Sequence, residues 1–459
     1  VKRILPLVLA LTLLATTANA PAAAPTLGPS EREALVTSYE HLVGDFYKKV
    51  DGGAAVTGAH DSLVAFLKKK GIANPTVSPV NVGADDALNE RELEREVAAA
   101  VGTYGAKFGA RDITYAALDG ILGSVKDKYT VFLTPKQFAD LNEGLDGGAN
   151  FGGVGLAYRV DSPDGKTVTG VVGVHVENVI PDGPADKAGV LTNDLITAID
   201  GHAIKDLDHT SAEKLYAAIT KLLRGDANST VALTIMRNDA SVTPIVVTRA
   251  MIHPPSVYSK LLPSGIGYAQ LTVFGQSTAN ELTSALTRLQ AQGAKAYILD
   301  LRYNGGGYLT TAVDVSSKFV ASGPIVSVES RAGNNTEYDA ENTAVKPLPL
   351  AVLVNRYTAS ASEITAGAIQ DSGVGTLIGE KTYGKGVVQT IFPMRDGSAI
   401  KITTQRYFTP HGRDINGVGI VPDVVTEQNK NFRFGDPTSD DVLKSAVGFL
   451  QGKITALNQ

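Results

Sequence analysis

Apolar residues in the first third of the chain return every three or four positions. Leu35, Tyr39, Leu42, Val43, Phe46 and Val50 form one stripe, and Leu63, Phe66 and Leu67 begin another. Residues 88–101 and 116–125, the latter around Leu118 and Leu122, carry two more. This period predicts amphipathic helices. Residues 23–148 therefore read as a mostly helical region, with Ser30 and Glu33 as a candidate capping box. From residue 149 to 250 the pattern shortens to β-rich runs at 168–176, 194–199, 231–236 and 244–248. One helix with Leu215, Ile219 and Leu222 on its face interrupts them. Asp200-Gly201 predicts a hairpin turn.

From 251 to 430 the pattern is α/β. A strand at 265–273 precedes a helix bearing Leu282, Leu286 and Leu289, with Thr278 and Glu281 as its expected cap. A buried strand at 296–301 leads into Gly305-Gly306-Gly307 and a helix from about Thr311. The apolar run 351–354 enters a serine-bearing turn, Ala359-Ser360-Ala361-Ser362-Glu363, and then a helix. A second apolar run, 376–379, ends at Gly384-Lys385-Gly386. Strand, helix, strand in this order implies parallel pairing through a crossover. A further strand is expected at 400–408, and a helix at 439–450 within a tail at 431–459. The expected class is multidomain α+β and α/β.

Composition narrows the picture. The chain has 459 residues, enough for several cores, with 43% hydrophobic and 19% charged residues. A net charge of −5 gives no reason to expect nucleic acid or an anionic membrane as partner. With no cysteine, disulfides and thiolate chemistry are excluded. Lys2 and Arg3, an apolar run at 4–15 and Ala18-Asn19-Ala20 have the order of a secretory leader. Residues 1–22 are thus expected to be a signal peptide, and the protein to be exported to a periplasm or the exterior. An uncleaved leader tethering it to a membrane is the alternative. The run is short for a bilayer span, which takes about 20 residues.

Ser360 sits where a buried strand gives way to a helix. There it is either a helix cap, a preferred role for serine, or a nucleophile beside free helix amides that favour an oxyanion. The glycine loop at 305–307 could in principle cradle phosphate, but neither nucleotide-binding spacing is present. The histidines are scattered, with His411 the one worth checking against a serine–histidine site, and no Gly-x-Ser-x-Gly elbow occurs. Ser211-Ala212-Glu213-Lys214 matches Ser-x-x-Lys without its companion motifs. No motif suggests a metal or another cofactor.

Ala359-Ser360-Ala361-Ser362-Glu363-Ile364 followed by Gly384-Lys385-Gly386 resembles the C-terminal processing peptidases, or tail-specific proteases. Gly417-Val418-Gly419-Ile420-Val421-Pro422-Asp423 matches that family's closing motif. The resemblance covers roughly residues 110–428. It implies a crotonase-like ββα-spiral core and a serine–lysine dyad, with Ser360 as nucleophile and Lys385 as base 25 positions on. By the same resemblance Gln389 orients the lysine, and the amides of Gly306 and Ala361 form the oxyanion hole. Tyr303 and Gly305 depart from the loop's commonest form. Residues 149–250 resemble a PDZ domain, on Pro184-Ala185-Asp186-Lys187-Ala188-Gly189 and Ile199-Asp200-Gly201. Gly153, Val154, Gly155 and Leu156 are then the candidate nest for a peptide carboxylate. The implied partners are polypeptides with free C-termini, and homo-oligomerisation through the N-terminal helices is an expectation by analogy. A catalytically inactive peptide-binding scaffold and a hydrolase of small esters are the competing readings.

Overall fold

The computed structural model describes residues 26–457 except 146–150, 161–171, 181–182, 192–193, 211, 238–239, 253 and 430–433. The expected leader lies outside the described residues. The chain divides into two compact units.

The first unit is built on helices α1 (Pro29–Asp45), α2 (Gly52–Lys69), α3 (Asp86–Phe108) and α4 (Ala110–Gly123). Leu35, Leu42, Val56, Leu63, Leu93, Val97, Leu118 and Ile121 form its core, which Met394, Ile400 and Ile402 complete. Ser30 and Glu33 do not cap α1. The helix starts earlier, with Gly28 as N-cap and Pro29 in the first turn, where the missing N–H leaves no bond unmade. Asp51 caps α2, accepting from Gly53 N at 3.0 Å, and Asp85 caps α3, accepting from Ala87 N at 3.0 Å. Helices α2 and α4 cross at Gly58 and Gly120. A Cβ on Gly120 would stand 2.1 Å from Gly58 O, so two glycines are what allow this approach.

Glu96 on α3 is fully buried. His60 Nδ1 on α2 lies 2.5 Å from its Oε1, while Oε2 has no partner among the described residues. Burial pushes its carboxyl up to about 6, against the opposing hydrogen bond from His60. A raised carboxyl pKa means that the folded state holds the proton more tightly than the unfolded chain does. Its contribution to stability is therefore complete below about pH 4.5 and is lost as pH rises through about 6. Glu96→Gln is expected to stabilise the protein at pH 8, by up to about 2 kcal/mol, and to leave pH 4 stability unchanged. Denaturant titration at the two pH values checks this.

The second unit follows β1 (Val131–Leu133) and opens with α5 (Pro135–Leu145), which the apolar pattern does not announce. The PDZ-like stretch begins with β2 (Phe151–Gly153), β3 (Leu156–Val160), β4 (Val174–Val179) and the short α6 (Pro184–Lys187). It continues through β5 (Leu195–Ile199), β6 (His202–Ala203), α7 (Ala212–Leu223), β7 (Thr230–Arg237), β8 (Ala240–Thr248) and β9 (Ala250–Ile252). Its sheet runs β3-β4-β5-β7-β8, with β6 paired to β5. Val174, Val176, Ile196, Ile199, Leu215, Ile219 and Leu233 fill the space between sheet and α7. Asp200 (φ 48°) and Gly201 (φ 77°) make the expected β5–β6 turn, which needs two positive φ values. Strand β2 lies outside this sheet and pairs with β9.

The remaining strands are β10 (Val257–Leu261), β11 (Ile266–Leu271), β12 (Ala296–Asp300), β13 (Pro324–Ser330), β14 (Asn335–Asp339), β15 (Leu350–Val354), β16 (Thr376–Gly379), β17 (Val387–Pro393), β18 (Ala399–Phe408) and β19 (Val424–Val425). The helices are α8 (Thr278–Ala291), α9 (Leu309–Ser316), α10 (Ala361–Asp371) and α11 (Asp441–Leu457). One sheet runs β10-β11-β12-β15-β16-β19. Its strands from β11 onward are parallel. Every residue of β12 and of β15 is buried, as parallel strands covered on both faces require. Alternation sorts their side chains. Leu299, Val352, Val354 and Leu377 pack with α8, α9 and α10, while Ile298, Ala351, Leu353 and Ile378 pack with α11. A second sheet joins β14 to β13 and β13 to β18, with β17 also on β18. Thr278 and Glu281 do not form the expected cap of α8. Ser277 holds the N-cap position, Thr278 Oγ1 donates to Val273 O, and Glu281 accepts from Ser256 N.

Candidate active site

Strands β12 and β15 are neighbours in register, Asp300 opposite Leu353. Their C-terminal ends therefore deliver two loops side by side, the usual place for a site in such a sheet. Side chains lock the loops together. Asn355 Oδ1 accepts from Tyr303 N and from Tyr357 N, each at 3.1 Å. Thr358 Oγ1 donates to Leu301 O at 2.9 Å. Asn304 O accepts from Ala359 N at 3.1 Å and from Ser362 Oγ at 3.0 Å.

Ser360 is the N-cap of α10 at φ 58° and ψ −119°. Such a conformation costs a non-glycine residue about 1–3 kcal/mol and persists only where surroundings impose it. Its side chain is half-buried. Ala361 N–H lies in the first turn of α10, where no carbonyl four residues back is available to it. Gly306 (φ 102°) presses against this turn. A Cβ there would stand 2.8 Å from both Ser360 Cβ and Ala361 N, so only glycine fits.

The carboxylate of Glu363 is wholly buried and accepts four hydrogen bonds. Oε2 takes Ser360 N and Lys385 N, each at 2.9 Å. Oε1 takes Thr382 Oγ1 at 2.5 Å and Gly384 N at 2.7 Å. One oxygen thus ties the backbones of Ser360 and Lys385, so their nitrogens lie within two hydrogen-bond lengths of each other. Lys385 is half-buried between Gly384 and Gly386. Neither glycine tolerates a side chain: a Cβ would stand 2.7 Å from Gly419 N or from Asn416 N respectively. Tyr407, which no sequence pattern singles out, donates its hydroxyl to Ser360 O at 3.2 Å.

The other expected residues are placed as follows. Gln389 is half-buried on β17, and its Nε2 donates to Val387 O and Thr403 Oγ1, each at 3.4 Å. Gly306 N–H donates to Asn304 Oδ1 at 2.9 Å, so that amide is already engaged. Asn304 is held in turn, its Nδ2 donating to Leu271 O at 2.9 Å. His411 faces Asp371, at the far end of α10 from Ser360, at 3.6 Å. Lys214 of the Ser-x-x-Lys match faces Asp208 at 3.6 Å, and Ser211 lies outside the described residues. In the PDZ-like stretch, Gly153 ends β2 and Leu156 begins β3. Val154 O accepts from Ala185 N at 2.8 Å, and Gly155 (φ 74°) accepts through its carbonyl from Ile180 N at 3.0 Å.

Beneath the glycine loop lies a buried ionic cluster. The Arg302 guanidinium meets Asp300 at 2.6 Å and Asp440 at 2.7 Å. Burial alone would lower its pKa, but the two carboxylates outweigh burial and hold it above the ordinary arginine value. Tyr268 donates to Asp300 at 2.7 Å. The cluster thereby fastens the start of α11 to the strand that carries the glycine loop.

Two family profiles match parts of this chain. The profile of peptidase family S41 matches residues 265–426, and that of the PDZ domain matches residues 152–246. The carboxyl-terminal-processing protease of Synechocystis is 35% identical over 351 residues, 75% of this chain and 78% of that protein. The chloroplastic C-terminal processing peptidase of Tetradesmus obliquus is 36% identical over 331 residues, 68% of this chain and 67% of that one. Among solved structures, a photosystem II D1 C-terminal processing protease aligns over 87% of this chain and 94% of its own, at 29% identity and a TM-score of 0.46. None of the described helices is long and apolar enough to cross a membrane.

Proposed function

We propose, for a chain that belongs to peptidase family S41 and is a serine-type C-terminal processing peptidase with a PDZ domain, that Ser360 and Lys385 are its catalytic dyad. The observation that carries this reading is the shared bond of Ser360 N and Lys385 N to Glu363 Oε2. It brings a serine with an imposed, non-relaxed backbone, the only serine at positive φ among the described residues, next to a lysine on a glycine-flanked turn. In this reading, uncharged Lys385 takes the proton from Ser360 Oγ as that oxygen attacks the peptide carbonyl. The same proton passes to the leaving amine, and water then hydrolyses the acyl-enzyme. Ala361 N–H meets the oxyanion from the helix end. Gly306 N–H joins it by sharing its hydrogen between Asn304 Oδ1 and the more strongly accepting oxyanion. An oxyanion donor of this kind contributes roughly 3–4 kcal/mol. Gln389, on the strand that leaves Lys385, limits the lysine's freedom. The PDZ domain takes the substrate's C-terminus as an added strand on β3, its carboxylate at the Gly153–Leu156 turn. The basic, apolar and Ala-x-Ala order of residues 1–20 supports export.

Ser360→Ala is the first test. The wild-type protein is expected to fragment unfolded casein and to be labelled by a fluorophosphonate at one serine. The variant is expected to do neither while melting at the same temperature. Undiminished fragmentation by the variant would move the nucleophile elsewhere.

A further inference from the structure

The PDZ sheet ends in β3, which pairs with β4 on one side only among the described strands. Its outer edge faces α7. Val160 N–H points to that edge, because it donates to the hydroxyl of Tyr216 on α7 at 3.2 Å. Residues of the same parity on a strand direct their amides the same way, so Tyr158 and Leu156 present theirs along this edge too. The Tyr216 ring lies stacked on Tyr158, centroids 5.4 Å apart and planes at 21°. The Tyr158 hydroxyl bonds Thr220 Oγ1 at 2.8 Å and Tyr216 O at 3.2 Å. Two tyrosines therefore bridge strand and helix where a bound tail would run, and one of them holds a donor that the tail needs.

We propose that Tyr216 is a latch that competes with the substrate's C-terminal tail for the edge of β3. The inference rests on the tail-binding role given above to the PDZ domain. A tail added antiparallel to β3, with its carboxylate at the 153–156 turn, meets the amides of Leu156 and Tyr158 through its last residues. Only a longer tail reaches Val160, and it must displace the Tyr216 hydroxyl to pair there. Short tails bind beside the closed latch. Long ones bind by opening it, and part of their affinity is lost in doing so. The latch thus determines how much of a tail the domain reads. Tyr216 is 38% exposed, so its ring has solvent to swing into. Tyr158, anchored at its hydroxyl, stays as the wall of the groove.

The test is peptide binding by the full chain in a Ser360→Ala background, which prevents hydrolysis. Fluorescein-labelled pools of tripeptides and heptapeptides, randomised at the last positions and carrying free carboxylates, are titrated by fluorescence polarisation. Tyr216→Phe keeps the ring and removes the hydroxyl. It is expected to bind the heptapeptide pool about fivefold more tightly, the worth of one neutral hydrogen bond, and the tripeptide pool as before. Unchanged or weaker heptapeptide binding, or an equal gain for both pools, overturns the latch. Amidated pools separate this from the parent reading. If neither protein distinguishes free from amidated heptapeptides, tail capture itself is refuted and the latch with it.

Discussion

Lys385→Ala is expected to lower kcat on an unfolded polypeptide by about 10⁴-fold or more, with no loss of fold. Groups that act as one catalytic unit have effects of this size when a member is removed. The side chain leaves a turn whose backbone keeps three hydrogen bonds of its own. Lys385 N–H still reaches Glu363, Gly386 N–H still donates to Asn416 Oδ1, and Tyr407 N–H still donates to Gly386 O. The melting temperature should therefore hold while the rate collapses. Steady-state kinetics alongside a melting curve checks both points. A variant that keeps a tenth of wild-type kcat would remove Lys385 from the chemistry.

The second large effect concerns a residue that touches no substrate. Glu363→Gln replaces an oxygen that accepts with an NH₂ that donates, in a wholly buried place. If the amide oxygen stays on Ser360 N and Lys385 N, the NH₂ confronts Gly384 N–H, which has nothing to accept with. A buried group left unsatisfied costs about 1–3 kcal/mol. The rate should fall further than stability suggests, by about 100-fold in kcat with little change in KM, because a displacement near 1 Å at reacting atoms has that effect. Thr382→Val is the control. It removes the Thr382 donor from Oε1 and the acceptor for Ile420 N, so it also destabilises. It leaves both bonds to Oε2 in place and should retain kcat within about tenfold. If the two variants lose stability and rate in the same proportion, Glu363 holds the fold and not the dyad.

These two residues show where the sequence could be read and where it could not. The serine turn is legible because strand, turn and helix follow one another along the chain with their apolar periods intact. Asp200-Gly201 is legible because its conformation is local. Glu363 stands in the motif, and its bond to Ser360 N is an ordinary capping contact at a separation of three residues. Its bonds to Thr382, Gly384 and Lys385 depend on how β16 lies against β15, which no local pattern encodes. The engagement of Gly306 N–H by Asn304 has the same origin, since Leu271, from a third strand, fixes the asparagine. The hairpin of β13 and β14 carries a largely exposed, polar second strand and so gives no apolar alternation to read. Ser30 and Glu33 have capping-box spacing without capping α1, because Pro29 starts the helix before them.

The dyad is tested most directly by comparing kcat for Ser360→Ala, Lys385→Ala and the double variant on one unfolded polypeptide. If serine and lysine act as a single unit, the double variant is no slower than either single one, all three sharing the same residual rate. Multiplying losses, or a single variant near the wild-type rate, would contradict the account.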